Sequence, residues 1–111
     1  MNNSEQQPRT LEEAETIVGL YDALTRIEKT SDFKLIFEEH LLTNEVIRLH
    51  SLMAHPDASM VASREAIIKD LDALSGLRVS LQMIKTIGAP TKEQLDEFRE
   101  AQALSESGGE L

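Results

Sequence analysis

The chain has no cysteine and no tryptophan, and aromatic residues make up only 4% of it. The absence of cysteine excludes disulfides, thiolate metal ligands and a cysteine nucleophile, and it fits a reducing compartment. With so few aromatic residues, a core must be built from Leu, Ile, Val, Met and Ala, a set that suits packed helices better than a sheet. We therefore expect an all-α fold.

Long apolar segments and basic charge are also scarce. Uninterrupted apolar runs are only a few residues long, far short of the roughly 20 residues that cross a bilayer. Met1–Thr10 is polar and has no apolar region of a secretory signal. Twenty acidic residues against 11 basic ones give a net charge of −9, which opposes direct binding to a nucleic-acid backbone. We expect no membrane association, and a location in the cytoplasm or in a particle assembled there.

Start and stop signals divide the first half of the chain into three predicted helices. Thr10 and Glu13 have capping-box spacing, and apolar spacings of 3 and 4 then predict a helix over 11–29. A second helix is predicted over 32–42, and a third follows the Thr43–Asn44 pair and ends before Pro56. Whether that pair interrupts the chain or only bends it stays open.

The longest predicted helix covers 59–87, which contains no proline and keeps apolar spacings of 3 and 4 throughout. Such a helix would be about 40 Å long. Gly76, near its middle, costs about 1 kcal/mol relative to alanine. It marks either a close helix crossing or an incidental, tolerated glycine.

Gly88 and Pro90 together predict the end of that long helix, because glycine favours the residue after a helix and proline prevents its resumption. Thr91 and Gln94 repeat the capping-box spacing and predict a short final helix. The expected fold is a small bundle of four to five helices around one long helix. We expect a flexible lead over 1–10, a single helical domain over 11–104 and a disordered tail over 105–111.

Candidate chemistry is sparse. His40, His50 and His55 are 10 and 5 residues apart, which fits no zinc-binding spacing, and we expect His40 to pack beside a stripe of phenylalanines. Adjacent carboxylates point in different directions on a helix, and no serine elbow or phosphate loop is present. The sequence therefore predicts a protein that is not an enzyme and that has no cofactor or metal.

The long helix carries more apolar surface than one stripe. Met60, Val61, Ile68 and Val79 are among the residues that add a second apolar edge beside the main row. Such wide coverage is typical of a helix at a bundle centre or at a subunit interface, and both alternatives stay open. The predicted partner-binding residues are Leu74, Leu77, Leu81, Met83, Ile84 and Ile87.

A resemblance covers about half of the chain, from Ser31 to Ile87. Its residues are SDFKLIFEEHLLTNEVIRLHSLMAHPD and the later DLDALSGLRVSLQMIKTIG. This stretch resembles small acidic helical proteins of tailed bacteriophages that are encoded near head and portal genes. The resemblance implies a non-enzymatic virion or assembly component that acts through helix packing, in the virion or the host cytoplasm. Its partner would be another copy, giving a homo-oligomer, or a larger phage or host protein.

The acidic composition suggests an alternative function of a different class. Small acidic proteins can inhibit a host nucleic-acid enzyme when their carboxylates imitate a nucleic-acid backbone. This hypothesis requires acidic residues gathered on one exposed face, and it predicts binding that weakens steeply with salt.

Overall fold

The computed structural model describes residues 10–54 and 61–109, and for residues 61, 62, 108 and 109 it describes the backbone alone. Residues 1–9 of the predicted flexible lead (1–10), the expected turn after Ala54 and the last two residues lie outside this part. The described residues contain no strand, so the all-α prediction is confirmed. The predicted count of four to five helices is wrong, because these residues form three helical segments. They are α1 (Leu11–Glu28), α2 (Ser31–Phe33, Lys34–Asn44 and Glu45–Met53 in unbroken succession) and α3 (Val61–Gly109).

Helix α1 begins as predicted and ends one residue earlier than predicted. The Thr10 hydroxyl accepts a hydrogen bond from the backbone N–H of Glu13 at 3.1 Å, which satisfies one of the free donors of the first turn. At the other end, the Thr30 hydroxyl donates to the carbonyl of Ile27 at 2.7 Å and accepts from the N–H of Phe33 at 3.2 Å. One threonine thus closes α1 and caps the start of α2.

Helix α2 combines the second and third predicted helices, because its middle section, Lys34–Asn44, is a π-helix rather than a break. In this wider turn the N–H of Glu45 donates to the carbonyl of His40, five residues earlier. The Thr43 hydroxyl donates to the carbonyl of Glu38 at 2.7 Å, also five residues earlier. The helix therefore runs without interruption through the Thr43–Asn44 pair, which lies at the end of the π-helical section.

Helix α3 is continuous through both residues that were predicted to end it. The prediction of an unbroken long helix is confirmed from Val61 onward, but the helix continues past Gly88 and Pro90 to Gly109. No described glycine has a positive φ, so Gly88 is not the expected left-handed terminal residue. It is buried, and a Cβ added to it would lie 2.5 Å from Cβ of Tyr21. Gly88 is therefore a close-packing position for α1.

Pro90 removes one backbone donor and crowds the preceding turn, which costs a helix interior about 3 kcal/mol. Burial of residues that follow it offsets this cost, since Thr91 is 3% exposed and Leu95 is 4% exposed. The predicted capping role of Thr91 is wrong, because its hydroxyl donates to the carbonyl of Ile87 at 2.7 Å within the helix. The predicted separate final helix is consequently the last part of α3, and no break marks the expected domain end at Leu104.

The chain divides into two compact units. Unit 1 consists of residues 1–24 and 83–111, and unit 2 consists of residues 25–82. Among the residues whose side chains the structure describes, those buried in unit 1 are Val18, Leu24, Gly88, Thr91 and Leu95, and those buried in unit 2 are Phe33, Leu49 and Ile67. None of these described side chains is less than 2% exposed, so each unit has a small core.

In unit 2, α2 runs antiparallel to the first part of α3. The Arg78 guanidinium donates to the carbonyl of Leu42 at 2.5 Å, and that of Arg64 donates to the carbonyl of Met53 at 3.2 Å. The rings of Phe33 and Phe37 stack with their centroids 4.8 Å apart. His40 is exposed, so its predicted packing role is wrong. The π-helical pitch of this stretch leaves it on the outside.

Candidate protein-docking groove

In unit 1, α1 runs antiparallel to the last part of α3, and one edge of this helix pair is ionic. Lys92 Nζ lies 2.6 Å from a carboxylate oxygen of Asp22, and the Arg99 guanidinium lies 3.9 Å from the carboxylate of Glu15. The two acidic residues on α1 are seven residues apart, and so are the two basic residues on α3. Each pair of residues therefore lies along one line of its own helix. These pairs define the register of the two helices.

Lys92 makes two contacts with α1. Its hydrogen bond to the Asp22 carboxylate raises the pKa of the Lys92 ammonium group above its ordinary value. Its Nζ also lies 5.9 Å from the centre of the Tyr21 ring, within cation–π range. Both charged side chains are more than a third exposed, so solvent screens the pair and its main effect is on register.

The opposite edge of the same pair is apolar. A groove of about 170 Å³ lies there, and every atom at its surface is apolar. Helical residues advance by about 100°, so Leu20 lies about 160° around α1 from Asp22, and Ile87 lies about 140° around α3 from Lys92. Leu20 is 54% exposed although it borders the groove. The groove is lined by Ile17, Leu20, Met83, Ile84 and Ile87.

A second groove, of about 230 Å³, lies further along the pair and is lined by Thr10, Leu11, Ala14, Thr91, Gln94, Leu95 and Phe98. Ile84, Ile87, Thr91, Gln94 and Phe98 follow one another at spacings of 3, 4, 3 and 4, so they share one face of α3. The two grooves therefore lie along a single line, which we call the apolar seam after its first groove; the second groove also exposes polar atoms. From Ile84 to Phe98 the seam rises about 21 Å along α3.

The six predicted partner-binding residues fall into two groups. Met83, Ile84 and Ile87 line the first groove of unit 1. Leu74, Leu77 and Leu81 belong to unit 2, where they are half-buried, and they line neither groove. Of the predicted second edge, Ile68 and Val79 in unit 2 are 45% and 55% exposed.

Sequence reasoning missed the contributions of α1 and of the last part of α3. Ile17 and Leu20 belong to the apolar stripe that predicted α1, but the stripe does not reveal which helix it faces. Phe98 was assigned to a separate helix after Pro90. In a continuous helix Phe98 lies on the same face as Ile87. The spacings of 3 and 4 that continue across Pro90 could have indicated this.

Among the described residues, no group of three or more His, Asp or Glu side chains is placed to hold a metal ion. None of the helices described between 10 and 54 or between 61 and 109 has the length and apolar character needed to cross a membrane. Comparison of the chain with protein-family models, with curated proteins and with solved structures gave no match.

Proposed function

We propose that the protein is a non-enzymatic binding module that docks a helix of another protein in the apolar seam. The observation that supports this proposal is the wholly apolar lining of the groove between α1 and α3. Apolar area removed from water contributes about 25 cal/mol per Å². Ridges of side chains on a third helix fit the groove between two packed helices. Docking would cover Leu20 and Phe98, which are 54% and 50% exposed.

The dimensions of the seam fit a helix rather than an extended peptide. An antiparallel pair presents a straight groove, and the rise of about 21 Å corresponds to about four helical turns. An extended strand would need an unpaired sheet edge for its backbone hydrogen bonds. A third helix satisfies its own backbone and needs only apolar contacts.

The resemblance to small acidic phage proteins supports a setting for this docking. We propose that the protein is a virion or assembly component, located in the virion or the host cytoplasm, whose partner is a larger phage or host protein. In this setting the acidic exterior limits non-specific association, while the seam supplies the specific contact.

Site-specific photo-crosslinking in full-length protein tests the docking proposal. A benzophenone side chain at Met83 lies in the groove, and one at Glu100 lies on an exposed part of α3 away from α1. In infected cells we expect adducts from position 83 and not from position 100. The adducts should disappear when Leu20→Asn is added and persist when Val79→Asn, at a similarly exposed position in unit 2, is added.

The protein found in the adduct shows whether the partner comes from the phage or the host. Whether the adduct requires an intact seam tests the docking function. A portal or capsid adduct supports an assembly role. Adducts of equal yield from both positions, or adducts that survive Leu20→Asn, would overturn docking in the seam.

A row of carboxylates in unit 1 favours the second candidate, inhibition of a host nucleic-acid enzyme by mimicry. Glu93, Asp96, Glu97 and Glu100 are all exposed and lie within an arc of about 100° on α3. This candidate predicts that a host nuclease or polymerase is captured, that binding falls steeply with salt, and that Gln and Asn substitutions along the row abolish it. Binding that persists in high salt would reject mimicry.

A further inference from the structure

We propose that α2 is a dimerisation helix, whose exposed face binds the same face of a second copy of this chain in an antiparallel, two-fold symmetric pair. This inference concerns unit 2 and goes beyond the docking proposed for unit 1. It follows from the pattern of burial and of charge along α2.

Burial along α2 repeats every four residues. The line of residues that is buried or half-buried at this spacing is Phe33, Phe37, Leu41, Glu45 and Leu49. In an α-helix the 16 residues from first to last would rotate this line by about 160°. The wider turns of Lys34–Asn44 therefore keep the line straight.

The opposite side of α2 is exposed at the same spacing and carries large apolar side chains. Leu35 and Ile47 are 58% and 60% exposed, and Ile36 beside them is 50% exposed. In an α-helix Leu35 and Ile47 would lie about 120° apart, because 12 residues separate them. The π-helical section instead aligns them on one line. We call this line, with Ile36, the outer face of α2, and its members are Leu35, Ile36, Glu39, Thr43, Ile47 and Ser51, all exposed.

The outer face is complementary to itself in an antiparallel pair. Two-fold symmetry about a point near residue 41 places Leu35 of each copy opposite Ile47 of the other. Ile36 lies beside each of these two apolar contacts, and Glu39 lies opposite Thr43. The pair thus removes from water the apolar side chains that α2 leaves exposed in a single copy.

Charges beside the outer face are complementary in the same register. Asp32 and Arg48 both lie on the exposed line next to Leu35 and Ile47, and the symmetry brings this line alongside its copy. Asp32 of one copy then lies only about 3 Å along the helix axis from Arg48 of the other. Arg48 bonds to Glu45 through Nε and Nη2. A guanidinium has five donors, so its Nη1 can donate to Asp32 of the second copy.

The charge of unit 2 also permits this association. Unit 2 has a net charge of −2, whereas unit 1, with 11 acidic and 4 basic residues, has −7. A second copy therefore meets less repulsion at α2 than at the apolar seam. Glu39 is the exception, because its two copies lie near the symmetry axis. With an interface near the lower limit of about 1,200 Å², we expect a reversible dimer with a dissociation constant of about 10–100 µM.

Sedimentation velocity of the full-length protein, from about 1 µM to 1 mM, measures the dimer. Leu35→Asn should weaken it by at least about tenfold, and the matched variant Val79→Asn, similarly exposed on α3 of the same unit, by less than about twofold. Glu39→Gln should tighten the dimer by about threefold, because like charges near the axis are removed. Glu100→Gln removes the same charge from unit 1 and should have less than about half that effect on a logarithmic scale.

A charge exchange tests the register. Asp32→Arg and Arg48→Asp should each weaken self-association by about three- to tenfold, because each homodimer then has two pairs of like charge. A mixture of the two variants restores both pairs of opposite charge. Their association with each other should therefore be at least about tenfold tighter than the self-association of either one.

Introduced cysteines test the direction of the helices, since the chain has none of its own. Ser31 and Ser51 lie opposite each other in the antiparallel pair. A mixture of Ser31→Cys and Ser51→Cys proteins should form disulfide-linked dimers on mild oxidation, and either variant alone should form at most about a tenth as much.

Each contrary result overturns the inference. A protein that stays monomeric up to about 1 mM does not dimerise through α2. A dimer that survives Leu35→Asn but dissociates with Leu20→Asn uses the apolar seam instead. A mixture of the charge variants that associates no better than either alone contradicts the register, and efficient crosslinking of Ser31→Cys by itself contradicts the antiparallel arrangement.

Discussion

Units 1 and 2 are similar in length but differ in charge and in how their helices are joined. Unit 1 has a net charge of −7 and unit 2 has a net charge of −2, from 9 acidic and 7 basic residues. In unit 1, side-chain ion pairs on one edge leave the other edge apolar and open. In unit 2, Arg78 and Arg64 reach across to backbone carbonyls instead. The basic residues that join helices thus donate to backbone carbonyls in unit 2, whereas in unit 1 they pair with side-chain carboxylates.

The largest expected effects come from the two cores. Leu49 in unit 2 is 2% exposed and Leu95 in unit 1 is 4% exposed. Replacement of either by alanine should lower the free energy of unfolding by about 2–5 kcal/mol. Leu104→Ala, at a residue 73% exposed, should change it by less than about 0.5 kcal/mol. Urea unfolding followed by circular dichroism measures all three, and a large effect of Leu104→Ala would contradict the assigned cores.

Gly88 and Gly76, one helical glycine from each unit, give the sharpest contrast between the units. Gly88→Ala in unit 1 places a Cβ against Tyr21, and the resulting overlap should destabilise the protein by about 1–3 kcal/mol. Gly76→Ala in unit 2 meets nothing within 4 Å, and it should stabilise the protein by about 1 kcal/mol because alanine favours the helix. Thermal unfolding of both variants is the measurement. Stabilisation by Gly88→Ala would show that α1 does not pack at this position.

The arginine contacts of unit 2 should have a smaller effect. Arg78→Met removes the hydrogen bond to the carbonyl of Leu42, at an expected loss of about 1 kcal/mol. Hydrogen exchange should accelerate in the π-helical part of α2. Lys69→Met removes the same charge from an exposed position on α3 in the same unit and is the control. Equal acceleration in both variants would mean that charge, rather than the hydrogen bond, stabilises the π-helix.

The smallest expected effect concerns the ionic edge of unit 1. The folded-state pKa of Lys92 is raised, chiefly by its hydrogen bond to Asp22. The stabilising contribution of this pair is therefore complete below the unfolded-state pKa of lysine and is lost as the pH rises through the folded-state pKa. Asp22→Asn should lower the Lys92 pKa, measured by NMR titration, and its small effect on stability should vanish at high pH. An unchanged pKa would refute the contact.

The ion pair of Glu45 and Arg48 in unit 2 gives the opposite pH dependence. Its hydrogen bonds hold the pKa of Glu45 below its ordinary value. Its contribution is therefore present above the unfolded-state pKa of glutamate and is lost as the pH falls through the folded-state pKa. Arg48→Met should raise the Glu45 pKa toward its ordinary value.

The parts of the fold that sequence predicted are those that local chemistry determines. The Thr10 cap depends only on nearby residues, and so do the apolar spacings of α1 and of α3 up to Ile87. All three can therefore be recognised in the sequence. Gly88 and Pro90 misled because their local preference to end a helix is outweighed by packing against Tyr21, which only the tertiary fold supplies. The sequence predicted a helix over 32–42, but its spacing did not reveal the π-helical pitch of Lys34–Asn44 that joins this helix to the next.

Only part of the lining of the candidate groove could be predicted, because the rest depends on the tertiary fold. The long helix has more apolar surface than one stripe requires, and the sequence shows this excess at Met83, Ile84 and Ile87. Their counterparts Ile17 and Leu20 depend on the register between two helices that are far apart in the chain. The ion pairs that define that register join residues 70 or more positions apart, beyond the reach of spacing rules.

The division of unit 1 into two distant stretches of chain affects the order in which the protein can be completed during synthesis. Residues 25–82 are contiguous and leave the ribosome together, whereas α1 emerges early and must wait for residues near Leu95 and Arg99. Closing so long a loop also adds an entropic delay. Helix α1 is therefore translated before α3 but finds its place only after it, and a nascent chain would expose Val18 and Leu24 until the last part of α3 is made.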